Sequence, residues 1–128
     1  MFDGLWENER GSQMRLHQEG AFIRGTYITL IGHDDAVRRE HALTGMANEE
    51  LIGFSVAWPA AGSLTSWAGK LIVDPAGVPR IHTTWHLVRD AVGDPSRKAA
   101  PWESFLTHTS VFSRVSPEAS SAAENDEQ

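Results

Sequence analysis

Residues 63–70 read SLTSWAGK. Ser63, Thr65 and Trp67 recur at every second position, a spacing that in a β-strand turns all three to one face. The other face receives Leu64, Ser66 and Ala68. The bulkiest apolar residue thus shares a side with two hydroxyls, whereas a strand covering a solid core sorts apolar from polar. Buried hydroxyls need hydrogen-bond partners. The pattern predicts an interior that is partly reserved for something polar.

The flanking segments alternate in the same way. Phe54, Val56 and Trp58 share one face, and Ile81, Thr83, Trp85 and Leu87 another. Working outward, the spacing predicts strands at 4–9, 12–18, 21–30, 40–47, 51–58, 63–73, 79–89 and 104–115. Turn chemistry separates them: Arg10-Gly11, Glu19-Gly20, Asn48-Glu49, Pro59 to Gly62, and Asp74-Pro75-Ala76-Gly77. Arg38-Arg39-Glu40 reads as a solvated loop or strand edge, and in 97–103 Pro101 allows little more than one helical turn. Eight short strands at regular intervals predict an all-β fold, an eight-stranded antiparallel up-and-down β-barrel. The inward sets also carry Asn8 with Trp6, Tyr27 with Thr29, and Ser110 with Phe112, which suits a barrel holding one small ligand.

At 128 residues the chain is sized for one domain. Residues 1–115 are expected to form the barrel. Residues 116–128, SPEASSAAENDEQ, lack bulky apolar side chains and are expected to be a disordered acidic tail. The net charge is −6, and removing the tail's four acids leaves about −2, so there is no basic footprint for nucleic acid. No apolar run is long enough to span a membrane as a helix. The absence of cysteine excludes disulfides and thiolate metal sites. His33, Asp34, Asp35 and His41 lack a metal-ligand spacing, and no G-x-S-x-G elbow supports a hydrolase. The N-terminus carries no signal-peptide pattern.

The residues that define the inward faces resemble the avidin and streptavidin family. The resemblance is carried by Gly4-Leu5-Trp6 with Asn8 and Gly11-Ser12, by Gly25-Thr26-Tyr27 with Thr29, and by Leu43-Thr44-Gly45. It continues through Phe54 to Trp58, through Ser63, Thr65, Trp67 and Gly69, and through Ile81, Thr83 and Trp85. Trp102, Ser104, Leu106 and Phe112 complete it.

The resemblance implies non-covalent, high-affinity binding of biotin in the barrel mouth, with no catalysis and no cofactor. Asn8, Ser12 and Tyr27 are then the donors to the ureido oxygen, an arrangement like an oxyanion hole used for binding. Thr29 stands where the family usually has a serine that accepts a ureido N–H. Ser110 is expected to accept the other N–H, where streptavidin-like sites carry an aspartate. Thr65 falls near the thiophane sulfur. Trp58, Trp67, Trp85 and Leu87 form the apolar wall. Ser63 and His33 face the valeryl carboxylate, and Trp102 caps a neighbouring subunit's site.

Ser110 is a neutral acceptor, which weakens a contact by roughly 1–2 kcal/mol against a charged one. Binding below the streptavidin level is therefore expected, with Ser110→Asp slowing release. His108, on the inward parity where the family has glycine, must narrow the pocket or tilt out of it. The resemblance further implies a homo-oligomer (a tetramer, with a dimer as the fallback) and a secreted or periplasmic protein. The acidic tail is a candidate contact for a neighbouring site. The alternative reading is a lipocalin-like barrel for a different small apolar ligand, which would not need the ureido donors.

Overall fold

The computed structural model describes residues 1–31, 37–92 and 96–115. Eight strands run in chain order: β1 (Gly4–Asn8), β2 (Gln13–Glu19), β3 (Phe22–Ile31), β4 (Val37–Asn48), β5 (Leu51–Trp58), β6 (Ser63–Val73), β7 (Pro79–Arg89) and β8 (Phe105–Arg114). Each pairs antiparallel with the next, and β8 returns to β1 through Trp6↔Arg114 and Asn8↔Phe112, closing the barrel. The expected architecture is the observed one, and most strand ends agree within a residue or two.

β4 is the exception. It begins at Val37, so Arg38 and Arg39 join Glu40 in the strand, and of the two readings, loop or strand edge, the strand holds. Backbone pairing such as Thr29↔Arg39 holds them regardless of side-chain polarity. All three side chains are exposed, and Arg38 and Glu40, two apart on the same face, form an ion pair at 2.8 Å.

Alternation along the strands fills the barrel in two halves. In an up-and-down barrel the β1–β2, β5–β6 and β7–β8 connections lie at one end, the mouth. Away from the mouth the interior is solid: Phe2, Trp6, Met14, Leu43, Val56, Ile81 and Phe112 are almost fully buried. The Trp6 indole N–H donates to the Phe2 carbonyl at 2.9 Å, which ties the N-terminus across this end. Nearer the mouth the inward positions turn polar and aromatic. There the β5–β6 connection is a single 3₁₀ turn, Pro59–Ala61, closed by Gly62 at φ 60, a left-handed conformation that glycine adopts without strain. A second 3₁₀ turn, Pro101–Glu103, precedes β8 and accounts for the one helical turn expected there.

Candidate functional site

Asn8 ends β1, and its side chain is held by the turn that follows. The carboxamide oxygen accepts the backbone N–H of Arg10 and that of Ser12, each at 3.0 Å. With that oxygen committed, the amide –NH₂ is the end left to donate elsewhere. Ser12 lies in the β1–β2 turn just before β2, and its hydroxyl bonds the phenol of Tyr27 on β3. Burial pushes the Tyr27 phenol above its usual range, and the Ser12 bond only partly counters this. The phenol therefore remains a neutral O–H donor throughout the physiological range.

Aromatic packing fixes these donors in place. Tyr27 stacks on Trp67 at 5.1 Å and meets Trp58 edge-on at 5.6 Å. Trp67 also stacks on Phe54 at 4.9 Å. The Trp58 indole N–H donates to the Thr65 hydroxyl at 2.9 Å, locking the ring and leaving the Thr65 proton free for another acceptor. Trp85 lies with its face towards the His108 imidazole, centroids 5.9 Å apart.

Ten of the expected residues line one cavity of about 170 Å³: Asn8, Ser12, Tyr27, Thr29, Trp58, Thr65, Trp67, Trp85, Leu87 and Ser110. They come from six strands and the β1–β2 turn. Ser63 does not line it. As the cross-strand partner of Trp58, it opens onto an adjoining groove of about 360 Å³ at the rim, shared with Trp58, Arg89 and Asp90. Trp102 is 83% exposed on its 3₁₀ turn and does not line the cavity of its own chain. His33 and the tail 116–128 lie outside the described residues. His108 shares the parity of Ser110 yet is exposed. Its Nδ1 accepts the Thr109 N–H at 2.8 Å, and the ring does not line the cavity.

Two neighbours of Asn8 were not anticipated. Arg10 lines the cavity, with its guanidinium carbon 5.9 Å from the centre of the Trp85 ring. Glu9 approaches Ser110 from outside the cavity, accepting the hydroxyl proton at 3.2 Å and the Val111 N–H at 3.1 Å. Both sit in a hairpin turn, where charged residues read as solvated. The signal available in sequence was their position between two candidate ligands, Asn8 and Ser12.

The family profile of the avidins matches residues 1–115. The chain belongs to the avidin family. Chicken (Gallus gallus) avidin is 29% identical over 121 residues, covering 88% of this chain and 76% of avidin. Chicken avidin-related protein 1 is 33% identical over 100 residues, covering 73% of this chain and 65% of its own length. Among solved structures, the rhizavidin–biotin complex superposes with a TM-score of 0.70 at 25% identity, covering 88% of this chain and 98% of rhizavidin. A biotin-binding protein from chicken gives a TM-score of 0.69 at 28% identity, covering 89% of this chain and 95% of its own. Avidin family proteins are binding proteins rather than enzymes.

Proposed function

We propose that this avidin-family protein binds biotin non-covalently at the barrel mouth. The observation that carries the reading is one cavity lined both by hydrogen-bond donors from the β1–β3 side (Asn8, Ser12, Tyr27) and by indoles from β5, β6 and β7 (Trp58, Trp67, Trp85). Three donors converging on one carbonyl favour the polarised form of a urea. The indoles supply rigid apolar contact for a thioether ring with little entropy lost. Thr29 and Ser110 accept the two ureido N–H groups, Thr65 turns its free proton to the sulfur, and Leu87 completes the apolar wall.

The volume of about 170 Å³ suits a compact fused head. It is below the ~300 Å³ at which pockets for whole drug-sized ligands begin. A retinoid or a fatty acid, the ligands of the lipocalin-like alternative, would leave the donors of Asn8, Ser12 and Tyr27 without acceptors. The tail of biotin leaves past Trp58 towards Ser63 and the rim groove, with His33 as the further carboxylate contact. Ser110 is a neutral acceptor, so affinity stands below that of a site with a carboxylate at this point. Trp102 acts on a neighbouring subunit in a homo-oligomer, a tetramer or else a dimer, and the protein works outside the cytoplasm.

Titration calorimetry with biotin, with tryptophan fluorescence followed in parallel, tests the reading. A stoichiometry of one per chain and a Kd of about nanomolar or tighter are expected. Absence of both heat and fluorescence change at high micromolar biotin would overturn it.

A further inference from the structure

The turn between β1 and β2 sets a carboxylate behind the ligand cavity. Ser110 is 4% exposed, and its hydroxyl is held 3.2 Å from Glu9 Oε2. The same carboxylate oxygen takes the Val111 N–H at 3.1 Å, so Glu9 is anchored to β8 by two bonds. Among the described residues no cation forms an ion pair with Glu9. Arg10, its neighbour, instead lies over Trp85. A hydroxyl has one proton and two lone pairs. With the proton directed to Glu9, the lone pairs are what Ser110 offers the cavity.

We propose that Glu9 is the acidic group of this site acting at one remove, a positioning residue that orients and polarises Ser110 as the acceptor for a ureido N–H. The proposal rests on the biotin reading. An N–H that bonds Ser110 enters a chain of N–H···O–H···carboxylate, and hydrogen bonds in such chains strengthen one another. The carboxyl stays ionised. Burial pushes its pKa up, but the N–H groups of its own backbone and of Val111, the Ser110 hydroxyl and the nearby charge of Arg10 outweigh that and hold it below the usual range.

This arrangement changes what Ser110→Asp should do. The new carboxylate would stand beside Glu9, and two like charges that close suppress each other's ionisation. The expected gain in binding is therefore absent unless Glu9 is neutralised as well.

Dissociation of biotin amide, which carries no carboxylate of its own, is measured for four proteins: parent, Glu9→Gln, Ser110→Asp and the double variant. Glu9→Gln keeps an oxygen for Val111 and Ser110 and removes only the charge, so a merely structural role would leave release unchanged. The expected results are release about tenfold faster in Glu9→Gln, a Ser110→Asp rate within about threefold of the parent, and recovery to the parent rate or slower in the double variant. An unchanged rate in Glu9→Gln overturns the role of Glu9. So does a Ser110→Asp effect equal in both backgrounds, because the two residues would then act independently. A parent protein that does not bind biotin amide or biotin overturns the ligand assignment, and this proposal with it.

Discussion

Asn8 shows how one residue serves the fold and the site with opposite ends of the same amide. Its oxygen holds the turn through the N–H groups of Arg10 and Ser12, and its nitrogen is left for the cavity. Asn8→Asp is isosteric and keeps the turn acceptor, yet it exchanges the donor for a negative charge facing a carbonyl oxygen. Biotin affinity is expected to fall by more than about tenfold, with the melting temperature held or raised. Calorimetry beside thermal unfolding checks both halves, and unimpaired binding would make Asn8 purely structural. Tyr27 carries a pH signature. Burial raises its folded pKa above the unfolded value near 10, so the folded state holds the proton more tightly. The associated stability is intact below about pH 10 and is lost as pH rises through the raised folded pKa. Tyr27→Phe is therefore expected to unfold less steeply with alkali than the parent, read from denaturant midpoints at several alkaline pH values. At this scale inward parity brings most of the expected residues to one cavity, yet Ser63 and His108 share that parity without lining it, and parity says nothing of Glu9 and Arg10. A turn residue has no parity to reveal where its side chain goes.

Among elements, the close strand contacts near the solid end are the least forgiving. A Cβ added at Gly45 would sit 2.0 Å from the Gly53 carbonyl oxygen and 2.7 Å from the Phe54 Cα, backbone atoms that cannot move aside. Gly45→Ala must spread β4 from β5 and is expected to cost about 1–3 kcal/mol or more, measured by denaturant unfolding. A variant as stable as the parent would mean the strands separate freely. The β6–β7 hairpin depends on Asp74, whose carboxylate accepts the Val78 N–H at 2.8 Å and pairs with Arg80 at 3.0 Å. The Val78 bond is the foremost reason its pKa lies below the ordinary value. A depressed folded pKa gives stability that is present above the unfolded value and is lost as pH falls through the folded one. Asp74→Asn should therefore melt below the parent at neutral pH and converge with it under acid, and a gap that persists at low pH would point to another cause. Strand positions were legible because turn chemistry and alternation agree along most of the chain. The start of β4 is hidden in the sequence because Arg38 and Arg39 mask pairing that only the backbone makes.

At the scale of the whole molecule, one chain leaves too much apolar surface uncovered at the rim. Leu64, Val88 and Phe105 are cross-strand neighbours on the outside of β6, β7 and β8, and they are 40%, 37% and 64% exposed. Trp102, on the 3₁₀ turn that leads into β8, is 83% exposed. Contiguous patches of this kind mark association surfaces in soluble proteins. Both the family resemblance and its place beside Pro101 in a polar segment point to Trp102 as an exposed or interface residue, whereas no alternation pattern describes a side chain that points away from its own fold. That exposure makes the residue a clean probe. Truncating a side chain with so little packing within its chain should change the stability of the isolated barrel by less than about 0.5 kcal/mol. Any larger effect on ligand release must then come from a neighbouring subunit. Trp102→Ala is expected to speed biotin release by about tenfold or more where the parent is assembled, in keeping with the weight of buried interface tryptophans. The effect should vanish on dilution to the point where light scattering reports monomers. A release rate indifferent to both the substitution and the protein concentration would mean that each barrel holds its ligand unaided.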